Sequence, residues 1–116
     1  MARRFSPGEH RHLLQIQEYL WRENESGEQV RDWMKLADRY ASLLSGRGVE
    51  QLQAGKYRAT VRRTYKIYKL DGLTTDMRII VKLTGETFGI VDIRPDPTDG
   101  WYQLIECEQT TDTVQQ

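Results

Sequence analysis

Chemistry in this chain would have to come from a small set of side chains. His10 and His12 are two residues apart, a spacing that puts both imidazoles on one face of a strand and could engage a metal ion. A metal site needs three or four ligands and the sequence fixes no third, so the pair reads as polar residues at a strand edge. Cys107 is the only cysteine, so no internal disulfide can form. It has no histidine or cation beside it in sequence and reads as a small buried hydrophobe rather than a nucleophile. Asp96, Asp99 and Glu106 surround one loop; their spacing defines no acid–base pair, and turn formation accounts for the aspartates. Gly46-Arg47-Gly48 lacks the length and the Lys-Ser/Thr ending of a phosphate loop. With no nucleophile elbow, zinc spacing or dinucleotide fingerprint, the sequence points away from an enzyme and implies no cofactor and no metal.

What remains is a binding surface. From Lys56 to Leu70 the chain alternates. Tyr57, Ala59, Val61, Tyr65 and Ile67 share one face of a strand, and Arg58, Arg62 and Lys66 share the other with Thr60 and Thr64. Three cations along a strand could contact phosphates. The competing reading is the solvated outer face of a half-buried sheet. Arg63 interrupts the apolar face, which implies either a bulge or a strand that projects past the core.

These side chains need elements to hold them. Met77–Leu83, Thr87–Arg94 and Trp101–Cys107 are apolar, β-branched runs separated by Thr84-Gly85-Glu86 and by Pro95 to Gly100. They read as successive antiparallel strands. Phe88 and Ile90 point to one face and Ile93 to the other, so a core holding all three needs a bulge near Val91-Asp92, as in a strongly curved sheet. Upstream, Val30, Trp33, Met34, Ala37, Tyr40, Ala41 and Leu44 recur at helical spacing. Periodicity favours a helix over 29–44, against a β-hairpin across the Asn24–Gly27 turn. Ser45 to Gly48 reads as a flexible break, and Val49–Ala54 suits a short helix ended by Gly55.

The 116 residues suggest one domain with a small core. Basic and acidic residues balance at 17 each, so no global field draws in nucleic acid or membrane. The start has no apolar run behind its arginines, unlike a secretory signal, and no run has the length of a membrane span. Residues 1–8 and 109–116 are polar and read as mobile segments flanking a domain over 9–108.

In order, the landmarks are Gly8 with Arg11-His12, Gln15-Ile16-Gln17, Gly27, Trp33, Tyr40-Ala41, Gly48, Glu50, Ile67 and Gly72-Leu73. Met77-Arg78, Gly85, Phe88, Ile90, Ile93, Leu104, Ile105 and Cys107 complete the set. This series, spread over about residues 8–108, resembles the head–tail joining proteins of tailed bacteriophages, also called head-completion, head-closure or stopper proteins. Each motif is short, and the order and spacing carry the resemblance. Two positions depart from the usual pattern: Tyr40 stands where tryptophan is common, and Lys66-Ile67-Tyr68 replaces an arginine-tyrosine element.

The resemblance implies a mainly β fold, a small antiparallel β-barrel with one short inserted α-helix and flexible loops. That replaces the helix over 29–44 by a strand, with an irregularity between Trp33 and Leu36 so that both reach the core. It also implies a non-catalytic virion protein, made in the host cytoplasm and assembled as a ring below the portal. Such a ring closes the DNA-filled head and receives the tail in phages and phage-derived particles such as gene-transfer agents. The implied partners are other copies of the chain, a portal or adaptor protein, a tail-completion or tail-terminator protein, and packaged DNA in the channel. Gly46, Arg47, Gly48 and Glu50 become the candidate gate or neighbour-contact loop. Arg58, Arg62 and Lys66 become the candidate channel or subunit-contact face. The alternatives are a small-barrel nucleic-acid-binding module and a neighbouring tail-completion component.

Overall fold

The computed structural model describes residues 12–53 and 56–114, and within these the side chains of all but 47, 49–53, 56, 57 and 111–114. Six strands form one closed antiparallel barrel: β1 (His12–Glu23), β2 (Gln29–Gln53), β3 (Lys56–Tyr68), β4 (Arg78–Val81), β5 (Thr87–Pro95) and β6 (Tyr102–Val114). Around the barrel the order is β1-β2-β3-β6-β5-β4, with β4 returning to β1.

Alternation fills the interior. Leu14 and Ile16 of β1, Tyr65 and Ile67 of β3, Ile79 and Val81 of β4, Phe88 and Ile90 of β5, and Ile105 and Cys107 of β6 are all buried. Each pair is two residues apart, the period that returns a side chain to the same sheet face. The β5 register shifts between Ile90 and Asp92, so Val91 is the extra residue and Ile93 joins the core margin. That is the bulge the sequence requires. Gly85 closes the β4–β5 turn at φ 78°, a left-handed conformation that glycine adopts without steric cost.

β2 is a single strand with two successive partners. Gln29–Ala41 pairs with β1 and Ala41–Gln53 pairs with β3, so among the described pairings Ala41 alone is bonded on both sides. Leu36 is an extra residue against β1 and Leu44 an extra residue against β3. The irregularity falls at Leu36, which packs on the core margin, whereas Trp33 does not join the core: it is half-buried and stacks with Tyr19 and Arg78. The helical spacing of 29–44 does not produce a helix.

Two other expectations fail. The short inserted helix over Val49–Ala54 is absent: β2 continues to Gln53, paired through Leu52↔Tyr57, and Ala54 lies outside the described residues. Ser45 to Gly48 is paired strand rather than a flexible break, because β3 projects past the core and offers it a partner. β3 itself has an unbroken register with β6 from Lys56↔Val114 to Tyr68↔Tyr102, so projection, not a bulge, explains Arg63. Gln109–Val114, polar enough to read as tail, is the continuation of β6.

The result is a barrel with an extension at each end, 54 × 44 × 23 Å overall. At one end β2, β3 and β6 run on as a three-stranded arm; nine residues of β3, Lys56–Thr64, span about 30 Å. At the other end the β1–β2 hairpin stands out beside the 69–77 and 96–101 loops.

Candidate functional site

The arm gathers most of the residues singled out from the sequence, and Lys66 follows just beyond it in the barrel wall. Arg58, Arg62 and Lys66 lie four apart along one face of β3, about 13 Å per step. Across from them Gly46 pairs with Arg63, Arg47 with Arg62, Gly48 with Val61 and Glu50 with Ala59. The two candidate sets are thus adjacent strands of one element. The side chains of Arg47 and Glu50 lie outside the described residues.

Two of the cations on this face, Arg62 and Lys66, face carboxylates. Arg62 donates from Nε to Glu108 Oε2 at 2.9 Å and from Nη1 to Glu106 Oε1 at 3.2 Å. The hydrogen bond to Glu108, aided by its charge, raises the guanidinium pKa above its usual value. Arg94 stands 3.1 Å from Asp92 and 3.7 Å from Glu106, extending the network onto β5. Lys66 is 3.0 Å from Asp96 and lies over the Tyr102 ring at 4.8 Å. The Thr98 backbone N–H and then Lys66 hold the Asp96 carboxyl below its usual pKa. Arg58 is also engaged in an interaction. A face built this way holds its own charges in register and is not a bare cationic strip for phosphates.

The remaining chemical candidates resolve into structure. His10 lies outside the described residues, and His12 packs edge-on to Tyr65 with ring centres 5.9 Å apart. Among the described residues no three His, Cys, Asp or Glu side chains come together as a metal site. Cys107 is buried; its thiol contacts the Arg63 carbonyl at 3.6 Å, and burial pushes its pKa up to about 12, which rules against a thiolate. Asp96 and Asp99 shape their loop by accepting from the backbone N–H groups of Thr98 and Trp101. At the barrel mouth Arg63 turns over Phe88, its Cζ 4.7 Å from the ring, and donates to the Tyr65 hydroxyl at 3.1 Å.

The opposite end carries a feature that sequence reasoning missed. Arg78, Trp33, Tyr19, Arg31 and Trp21 form one continuous stack. Arg78 Cζ is 4.2 Å from the Trp33 ring, Trp33 and Tyr19 are 4.9 Å apart, and Arg31 lies 4.4 Å from Tyr19 and 5.5 Å from Trp21. Guanidinium groups over aromatic faces order the hairpin while leaving its aromatics displayed. Trp21 remains 66 % exposed. On the neighbouring loops Trp101, 69 % exposed, stacks on Tyr68 at 6.5 Å. Exposed aromatic clusters of this kind mark protein interaction surfaces. The available signal was the Tyr19/Trp21 spacing, which places both rings on one face if the segment is a strand.

Comparison with known proteins gives three results. A family model described as phage head completion protein matches residues 5–110. A chain from the virion of a native gene transfer agent particle shares the fold with a TM-score of 0.64 and 17 % identity, covering 85 % of this chain and 93 % of that one. A protein from Shigella flexneri 2a, solved in solution, gives a TM-score of 0.58 and 20 % identity, with 90 % and 96 % covered. No curated protein matches the chain in sequence.

Proposed function

The chain belongs to the phage head completion protein family, and from that premise we propose that it is a structural, non-catalytic component of the head–tail connector. Copies form a ring below the portal or adaptor, close the DNA-filled head and offer the surface on which the tail docks. The family match across residues 5–110, which takes in β1 to β5 and most of β6, is the observation that carries this reading. The gene transfer agent chain of the same fold supports a place in the virion.

The two ends divide the work. The exposed Trp21 and Trp101 clusters suit a contact with a different protein, the portal-side adaptor or the tail-completion component. The arm, with Gly46, Arg47, Gly48 and Glu50 on β2, is the contact between neighbouring copies. Arg58 and Arg62 serve that contact rather than the packaged DNA, because Arg62 already faces carboxylates, and Lys66 is paired with Asp96 in the barrel wall. A monomeric nucleic-acid-binding module fits less well for the same reason.

Electron microscopy of particles assembled without this protein tests the reading. DNA-free or leaking heads beside intact, separate tails are expected. Normal joined particles would overturn it.

A further inference from the structure

We propose that neighbouring copies join through main-chain pairing of their arms, with the β6 edge of one copy against the β2 edge of the next and the two strands parallel. The inference rests on the ring reading above.

In the arm, among the described residues, only β3 is bonded on both sides. Among the described residues, Ser42–Gln53 of β2 and Gln109–Val114 of β6 pair with β3 alone. Each presents a row of N–H and C=O groups on an outer margin, and such margins are templates for another strand. Elsewhere the sheet closes on itself, and among the described residues the longer one-sided stretches outside the arm are Glu18–Glu23 of β1, Gln29–Tyr40 of β2 and Asp92–Pro95 of β5, all toward the hairpin end.

Proteins blunt exposed edges with lysine, proline or dense charge. Gln109–Val114 reads QTTDTV: no lysine, no proline, Asp112 its single charge, and three threonines with a valine suited to extended pairing. The open margin of β2 at the hairpin end differs. There Arg31, Asp32, Lys35, Asp38 and Arg39 crowd the strand, as on an edge kept from pairing. The β6 edge and the arm margin of β2, where Arg47 and Glu50 are the only charges between Ser42 and Gln53 and no lysine or proline stands, are therefore the two that the sequence leaves available.

Strand direction decides the geometry. β2 and β6 are both antiparallel to β3, so they run parallel to each other. A rotation axis along the arm preserves that direction, and β6 against the next copy's β2 is then a parallel pair. This contact is heterologous: it uses two different margins, repeats at every copy and ends only when the ring closes. A two-fold dimer would instead set β6 on β6 in antiparallel fashion and stop at a pair. Six residues of β6 supply about 20 Å of pairing at each junction.

The test uses the full chain in assembled particles. Thr111→Cys is combined in turn with Val49→Cys, Glu50→Cys and Gln51→Cys, and oxidised particles are run on non-reducing gels. A chain carrying only buried Cys107 is the control. A ladder of dimer, trimer and higher species in at least one combination is expected. Dimers alone, also formed by Thr111→Cys without a partner cysteine, would mean β6-to-β6 pairing and overturn the proposal. Rings visible by electron microscopy without any cross-link would overturn the edge pairing and leave the ring reading standing. Particles with no ring at this position would sink both. Hydrogen exchange on the unsubstituted protein guards against folding defects in the variants. Amides of 109–114 should exchange at least about tenfold slower in particles than in the dilute isolated chain. Equal rates would refute the pairing.

Discussion

Arg63 should stabilise the barrel mouth through Tyr65, and a double-mutant cycle can isolate that contribution. Tyr65 is fully buried and its hydroxyl accepts a hydrogen bond from Arg63 Nη1 at 3.1 Å, while the same guanidinium lies 4.7 Å from the Phe88 ring and 3.5 Å from Glu86. Arg63→Met keeps an apolar stem of similar length over Phe88. It removes a charge-assisted hydrogen bond, about 1.5–3 kcal/mol, and a cation–π contact, about 0.5–2 kcal/mol. The Arg63 side chain is 24 % exposed, so solvent screening favours the low end of both ranges. Methionine recovers part of the aromatic contact. The net expected loss is about 2 kcal/mol. Much of it arises because the Tyr65 hydroxyl is left buried without its donor. Tyr65→Phe removes that hydroxyl, so the double variant should lose about 1 kcal/mol less than the sum of the single losses. Equilibrium urea unfolding followed by tryptophan fluorescence measures all four chains. Losses that add within about 0.3 kcal/mol would refute the coupling and reduce Arg63 to an exposed charge above an independent core.

Alkaline pH should weaken the fold. Burial pushes the Cys107 thiol up to about 12 and also raises the Tyr65 phenol, so the native state keeps protons that the unfolded chain releases at lower pH. Stability is then complete below about pH 8.5 and declines as pH rises toward 12; urea midpoints higher at pH 10.5 than at pH 8 would contradict this. Gly85→Ala should cost about 1–2 kcal/mol, because φ is 78° and an added Cβ meets no atom within 4 Å, leaving only the left-handed backbone penalty. A thermal midpoint lowered by several degrees is the expected readout, and an unchanged one speaks against the turn. Trp101→Ser should alter stability by less than about 1 kcal/mol, since the ring is mostly exposed, yet reduce joined particles in a complementation assay. Full joining would remove Trp101 from the docking surface.

Much of the barrel was legible because its strands meet a single core. Phe88, Ile90 and Ile93 demanded a bulge near Val91, and the register shifts there. β2 misled for a definite reason. Its partner changes at Ala41 and it carries extra residues at Leu36 and Leu44. Each extra residue moves the two-residue alternation onto the other face, and an alternation interrupted in this way imitates the three- and four-residue spacing of a helix. Val49–Gln53 misled differently: its sequence, VEQLQ, sets Val49 and Leu52 three apart and lacks the two-residue alternation that marks a strand. Long-range pairing hid the rest. Arg62 meets its carboxylates 44 and 46 residues away in sequence, and Arg78 reaches the Trp33 ring across the sheet. Residue types predict such meetings only once the register is known.

The continuity of β2 has a mechanical consequence. One covalent strand runs from the aromatic hairpin, through the barrel wall, into the arm, with no loop along its 25 residues. A push or twist applied at the hairpin therefore has a direct load path to the far end. The two extra residues, Leu36 and Leu44, bracket the segment held by the wall and are the places where the ladder on that path is interrupted. A pull along the arm loads the ladders on both sides of β3 in shear, so their hydrogen bonds resist together rather than opening one after another. The same strand thus couples the two ends of the subunit mechanically.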